Sequence, residues 1–232
     1  MKTRMYTEVK TWNPFKGCLF DCIYCRPSFQ QQAKRQKHNC MNCYNYIPHY
    51  HPERLGKIPS AKTIFVCGNS DLSFCRPDYM HRIIEAIKKH NIRRPEKTYY
   101  FQSKRPEYFK PFIKELPGNA IILTTLETNR DNGYKSISKA PVPCQRYNQL
   151  KNLNYPRRVV TIEPVLDFDL VIFAEWIREL NPEYVWLGYN SRPKQVIMPE
   201  PTAGTLIAFA YELKKSGIKI KSKDLREIQE VF

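Results

Sequence analysis

The stretch Gly17-Cys18-Leu19-Phe20-Asp21-Cys22-Ile23-Tyr24-Cys25 carries three cysteines in a C-x3-C-x2-C spacing. Three thiolates are one ligand short of a closed tetrahedral zinc site, whereas on a four-iron cluster they leave one iron free. A metal position left open is what a site needs when a substrate or cofactor must bind there. Two other readings of the loop stand beside this one: a structural zinc knuckle, and buried thiols without a ligand. The loop follows the first run of strand character in the chain, residues 8–12, so it lies at a strand's C-terminal end. In chains that alternate strands and helices, that end carries the chemistry.

Working outward, period-2 or apolar runs bounded by turn residues recur at 63–67, 98–102, 120–125, 158–163 and 184–188, with a short seventh at 218–220. Helical patterns lie between them. In PDYMHRIIEAIKKH the apolar stripe is Tyr79, Met80, Ile83, Ile84 and Ile87, with Asp78 at the start and Lys88, Lys89 and His90 at the end, as the helix dipole favours. RPEYFKPFIKELPG reads as a second helix despite Pro111 in its interior, and further helices read over 169–180 and 202–216. Alternation of this kind predicts an α/β chain of parallel strands with helical crossovers. A partial (β/α)6, TIM-like barrel accommodates it, and a doubly wound sheet fits the periodicity equally well. The chain reads as one domain, 1–232, interrupted after its first strand by a polar, aromatic-speckled, Cys/His-rich insertion, 26–60.

No run of about eighteen apolar residues is present, so no membrane span is expected. The opening residues, MKTRMYTEVK, lack an apolar signal core, which predicts a cytoplasmic protein. In a reducing compartment, eight cysteines with five of them before residue 44 read as ligands or catalysts rather than disulfides. The formal charge of +16, from 38 Lys plus Arg against 22 Asp plus Glu, points to a polyanionic partner, most simply nucleic acid. A basic surface without a specific partner is the plainer alternative.

Cys18, Cys22 and Cys25, with an aromatic at Tyr24, resemble the radical S-adenosylmethionine (radical SAM) superfamily. The blocks TWNPFKGC, HPERL, IFVCGNSDLSF, YYFQSKRPEYF, TTLETN, VVTIEPVLD and YVWLGYN are similar to those of the phage Gp37/Gp68-like radical SAM proteins, from about residue 11 to 190. That family is more distantly similar to spore photoproduct lyase. The resemblance implies a partial β/α barrel of the radical SAM type. It also implies a [4Fe–4S] cluster on Cys18, Cys22 and Cys25, with S-adenosylmethionine on the fourth iron. Its further implications are a 5′-deoxyadenosyl radical that abstracts hydrogen, an electron donor such as flavodoxin or ferredoxin, and repair or modification of nucleic acid or a nucleotide. The protein positions such chemistry and excludes water from it.

Each expected strand end offers cofactor-binding candidates. After the second strand, Gly68 permits close backbone approach, and Asn69, Ser70 and Asp71 offer acceptors where the superfamily often has a Gly-Gly-Glu-like turn; the glutamate is absent here. A polar loop capped by Asp71 is the structural alternative. Lys104 follows the third strand and can neutralise an anion, Glu127 follows the fourth, Glu163 ends the fifth, and Tyr189 and Asn190 follow the sixth. In the insertion, Cys40 and Cys43 make a C-x2-C pair with His38 nearby and His49 and His51 beyond. Zinc on the two cysteines and two of the three histidines, an auxiliary iron–sulfur cluster shared with Cys67 or Cys75, and no metal are all open. Cys144, expected in a loop before a helix, is the candidate hydrogen-atom donor that resemblance to the lyase permits. The insertion also interleaves the aromatics Phe29, Tyr44, Tyr46 and Tyr50 with the cations Lys34, Arg35, Lys37 and Arg54, a mixture that can stack bases and pair phosphates, or simply pack the insertion down. The rival from another class is a nucleic-acid-binding module with zinc on Cys18, Cys22, Cys25 and Cys40.

Overall fold

The computed structural model describes residues 9–222 together with Leu225, Arg226 and Ile228. Among them seven strands form one sheet: β1 Val9–Trp12, β2 Thr63–Val66, β3 Thr98–Gln102, β4 Ala120–Thr125, β5 Arg158–Ile162, β6 Tyr184–Leu187 and β7 Ile220–Ser222. Every neighbouring pair is parallel, and the order across the sheet is the order along the chain. A doubly wound sheet reverses its strand order at a switch point. This one never does, so it curls in one sense into a half-barrel, open because β1 and β7 do not pair.

Strand parity sorts the side chains into two layers. Ile64, Val66, Tyr99, Phe101, Ile122, Val160, Ile162, Val185 and Leu187 join the main core with the helices α1 Pro77–Asn91, α2 Pro143–Lys151, α3 Leu170–Leu180 and α4 Ala203–Lys215. The α1 stripe Tyr79, Met80, Ile83, Ile84 and Ile87 is buried there, as its spacing predicts. Burying each such side chain contributes roughly 1.5–3 kcal/mol, so this layer dominates the stability of the fold. The other parity places Tyr100, Ile121, Leu123, Val159, Tyr184 and Trp186 on the inner face, with Val9 and Phe65 against them. Apolar residues on both faces are the signature of a buried parallel sheet.

The expected strands stand within one or two residues of the observed ones, apart from Glu8, which lies outside the described residues. Two crossovers differ. The segment expected as an α-helix over 105–118 forms a 3₁₀ helix, Pro106–Phe112. Pro111 has no N–H for Glu107 and its ring would crowd that carbonyl, so the α-helical ladder fails while Phe109 and Phe112 still reach the core. The helix expected after Cys144 begins before it, because Pro143 opens α2 as a first-turn residue. Cys144 therefore lies in a helix, not in the loop where it was expected.

The insertion folds back on β1. Strand Phe15–Lys16 pairs antiparallel with His49–Tyr50, and the His51 N–H donates to the Pro14 carbonyl at 2.6 Å. Gly17, the next residue, has φ +96°, and a Cβ there would sit 2.2 Å from the Ile47 carbonyl oxygen. Only glycine lets the chain turn into the cysteine loop while the insertion passes this close. Among the described residues, no helix is long and apolar enough to cross a membrane.

Candidate functional site

Backbone hydrogen bonds hold the cysteine loop between two neighbours. Cys18 N–H donates to Tyr46 O of the insertion at 3.1 Å. On the other side Ile23 N–H donates to Ile137 O at 2.9 Å and Lys139 N–H to Phe20 O at 2.8 Å, tying the loop to the segment after β4. The cysteines share an apolar pocket with Phe20, Tyr24, Phe74 and Ala140. Cys22 Sγ lies 3.1 Å from Ser138 Oγ and 3.4 Å from Lys104 Nζ.

These contacts divide the three thiols. A hydrogen bond from Cys25, with help from Lys104 and Ser138 against the cost of burial, brings the Cys22 thiol down to about 6. Cys25 is pushed up by the same hydrogen bond and then by burial, and Cys18 is pushed up by burial and by the charge of Asp71. The loop thus offers one thiolate readily, and a metal must displace protons from the other two.

The donor set fits a multi-iron cluster. Among the described residues, the one group of three or more His, Cys, Asp or Glu donors lying mutually within 4.8 Å is Cys40, Cys43, His49 and His51, so the three loop thiols are not all drawn together at the spacing of a single ion's ligands. Cys40 belongs to that other group, and the four-cysteine zinc site of the rival reading is not formed. Three soft ligands around an apolar pocket suit three corners of a cluster better than one ion.

Behind Cys22 lies a buried charge network. Lys104 Nζ contacts Glu127 Oε1 at 2.5 Å and donates to Tyr24 OH, which also donates to Glu127; Tyr134 OH donates to the same carboxylate at 3.0 Å. Arg146, fully buried on α2, brings Nη1 to 2.8 Å from Glu127 Oε2 and also donates to the Thr125 carbonyl. Burial works to raise Glu127, but Arg146 and Lys104 outweigh it and hold the carboxyl at about 2. Lys104 is correspondingly held charged: the Cys22 and Glu127 charges outweigh the burial that works against its ammonium. The lysine thereby links the end of β3 to the thiolate and to the end of β4.

Asp71 is equally committed. It accepts from Ser73 N at 2.9 Å, Ser73 Oγ at 2.8 Å, Ser103 Oγ at 2.7 Å and Lys104 N at 2.7 Å, capping the 3₁₀ helix Leu72–Phe74 and stapling the β2 and β3 ends together. Ser70 Oγ donates to Cys67 O at 2.6 Å. Gly68 is needed because a Cβ would meet Phe65 and Thr11 side-chain carbons at 2.9 Å. Asn69 lines a polar cleft of about 1030 Å³ together with Thr11, Phe29, Lys34, Arg35 and Arg192. Glu163 accepts from Trp186 Nε1 at 2.9 Å, which puts it with the inner-face aromatics.

Other expected residues stand apart. Tyr189 and Asn190 are buried, the asparagine donating to Val196 O at 2.8 Å within its own loop. Cys144 has Asp131 and Asn148 as partners, neither of which belongs to the network above. His38 is exposed on a turn, outside the Cys40 group, and Cys67 and Cys75 are buried in the main core rather than beside Cys40 and Cys43. Sequence reasoning missed Arg146, Tyr134 and Ser138. The signal for the arginine is legible: it occupies the buried stripe Pro143, Arg146, Tyr147, Leu150 of α2, where a charge requires a buried partner.

Solved structures share the fold. A radical SAM methyltransferase from Sphaerobacter thermophilus superposes with a TM-score of 0.57 at 14% identity, covering 91% of this chain and 64% of that one. Streptococcus suis SuiB bound to its precursor peptide SuiA gives 0.61 at 8% identity, covering 95% and 50%. A spore photoproduct lyase double mutant with bound AdoMet and dinucleoside spore photoproduct gives 0.53 at 13% identity, covering 94% and 63%. The half-barrel is therefore that of the radical SAM enzymes, and the chain spans about half to just under two thirds of the length of these three. No family model and no curated protein matches the sequence, so the Gp37/Gp68-like resemblance rests on the sequence blocks alone.

Proposed function

We propose that this chain is a radical SAM enzyme whose cluster is held by Cys18, Cys22 and Cys25. The observation that carries the reading is that the three loop cysteines share one apolar pocket at the strand ends of a half-barrel of this type. When bound, the cluster and S-adenosylmethionine supply reductive cleavage and hydrogen-atom abstraction. The chain's own part is positional and electrostatic. Lys104 stabilises the Cys22 thiolate and is itself fixed by Glu127. Phe20, Phe74 and Ala140 keep water from the pocket. Asn69 lines the cleft and its carbonyl accepts from Gly17 N–H at 3.1 Å, next to Cys18, so we assign its side chain to the polar end of S-adenosylmethionine. Glu163, with Trp186, offers a carboxylate on the inner face.

The substrate class we assign is nucleic acid or a nucleotide. Support comes from the +16 charge and from the cleft, where Lys34, Arg35 and Arg192 stand beside the half-exposed ring of Phe29. Cations for phosphates next to an aromatic for a base is the pattern of single-strand binding, and a base in a duplex has to be flipped to reach such a mouth. Incubation of the reconstituted protein with dithionite and S-adenosylmethionine tests the chemistry. Release of 5′-deoxyadenosine or methionine is expected, and iron-loaded protein that leaves S-adenosylmethionine intact refutes the assignment.

A further inference from the structure

The insertion carries a second, separate donor set. Cys40 caps the helical turn Met41–Tyr44 and Cys43 lies within it, and His49 and His51 lie on and after the strand that pairs with Phe15–Lys16. Their donor atoms face one another: Cys43 Sγ is 3.2 Å from His49 Nε2 and 3.3 Å from His51 Nε2, Cys40 Sγ is 3.4 Å from His49 Nε2, and the two Nε2 atoms are 2.8 Å apart. All four lie within 4.8 Å of one another. A tetrahedral ion with bonds of about 2.0–2.3 Å holds its ligands roughly 3.3–3.8 Å apart, and three of the four separations above, 3.2, 3.3 and 3.4 Å, already stand close to that range.

Both rings are already oriented for a cation. His49 Nδ1 is 2.7 Å from the Ile47 carbonyl, which can only accept, so the proton sits on Nδ1. His51 Nδ1 is 3.0 Å from the Glu53 carboxylate, which fixes the same tautomer. Each Nε2 then presents a lone pair, and two lone pairs at this separation repel unless a positive charge lies between them. Ring N–H groups held by a carbonyl and by a carboxylate are the outer-shell supports that metal-bound histidines use.

We propose that Cys40, Cys43, His49 and His51 form a closed, structural zinc site that pins the insertion beneath the cysteine loop. Two thiolates and two imidazoles are also the ligands of a Rieske-type [2Fe–2S] centre, but there the pairs sit on two different irons; four donor atoms all within 4.8 Å of one another, the sulfurs intermixed with the nitrogens, match a single tetrahedral zinc ion instead. The connection to the loop is short: His49 pairs with Lys16, and only Gly17 separates that residue from Cys18. The ion would fix the platform from which Cys18 projects.

The site is independent of the cluster, and the experiment separates the two. The variant carrying Cys18→Ala, Cys22→Ala and Cys25→Ala is expected to purify with one zinc per chain and without iron or sulfide. Adding Cys43→Ser or His51→Ala should abolish the zinc, whereas His38→Ala should leave it in place. Cobalt substitution should give the visible bands of a tetrahedral ion with thiolate charge transfer. Because a ligand deletion can also unfold the insertion, His51→Cys serves as the retaining variant, expected to keep the metal and to strengthen the charge-transfer band. Zinc lost with the three loop cysteines, zinc indifferent to Cys43→Ser, or iron with sulfide in the triple variant overturns the proposal.

Discussion

Replacing Glu127 by glutamine keeps the shape of the side chain and removes one charge from a place that water does not reach. Lys104 and Arg146 are left facing each other's charge without the carboxylate between them. Breaking a buried ion pair in this way costs about 3–5 kcal/mol. The carboxyl's own titration gives a similar figure: its fall from 4.5 to about 2 corresponds to roughly 3 kcal/mol of favourable interaction at neutral pH. Because the folded carboxyl is the stronger acid, this stabilisation is complete above the unfolded value and fades as pH falls through about 2. Near pH 3 less than half of it should remain. The assay is urea unfolding of wild type and Glu127→Gln at pH 7 and pH 3. With a slope of about 3 kcal/mol per molar for a chain of this size, the variant's midpoint should drop by about 1 M at pH 7 and by clearly less at pH 3. Equal midpoints at pH 7, or a deficit that grows on acidification, would refute the network's role.

Two further outcomes follow from geometry. Gly17→Ala forces a left-handed backbone and drives a methyl group into the Ile47 carbonyl; it should cost about 1–3 kcal/mol or more and make the insertion a preferred target in limited proteolysis, whereas wild-type resistance would show that the turn is not tight. Replacing Lys34, Arg35 or Arg192 singly by serine should lower the salt slope of single-stranded nucleic-acid binding by about 1 each, uniformly across sequences. A wild-type protein whose binding has no salt slope would remove the electrostatic case for that partner.

The strands were legible because both layers of a parallel sheet are apolar and the turns between them are marked by Gly, Pro, Asn and Asp. The winding was not, since periodicity is the same for a half-barrel and a doubly wound sheet; only the pairing of β1 with β2 and onward distinguishes them. Pro111 announced its own exception, and the 3₁₀ crossover is its consequence. In the site, the cysteine spacing located the loop, and strand-end position picked out Lys104 and Glu127, which the structure brings into one ion pair. The Asp71 cap on its own loop, with Ser73 as partner, is the alternative the sequence offered; its bonds to Ser103 and Lys104 were not legible, because they join two loops far apart in sequence. The insertion was the least legible part. Without regular periodicity, His38, His49 and His51 looked interchangeable beside Cys40 and Cys43, and only the return of His49–Tyr50 to Phe15–Lys16 decides among them.

Iron and acid-labile sulfide, counted on anaerobically purified protein with and without Cys22→Ala, test the central assignment most directly. About four of each per chain, lost in the variant while the insertion's zinc remains, is the expected result. Wild-type protein that holds zinc but no iron, or iron that persists without Cys22, would contradict it.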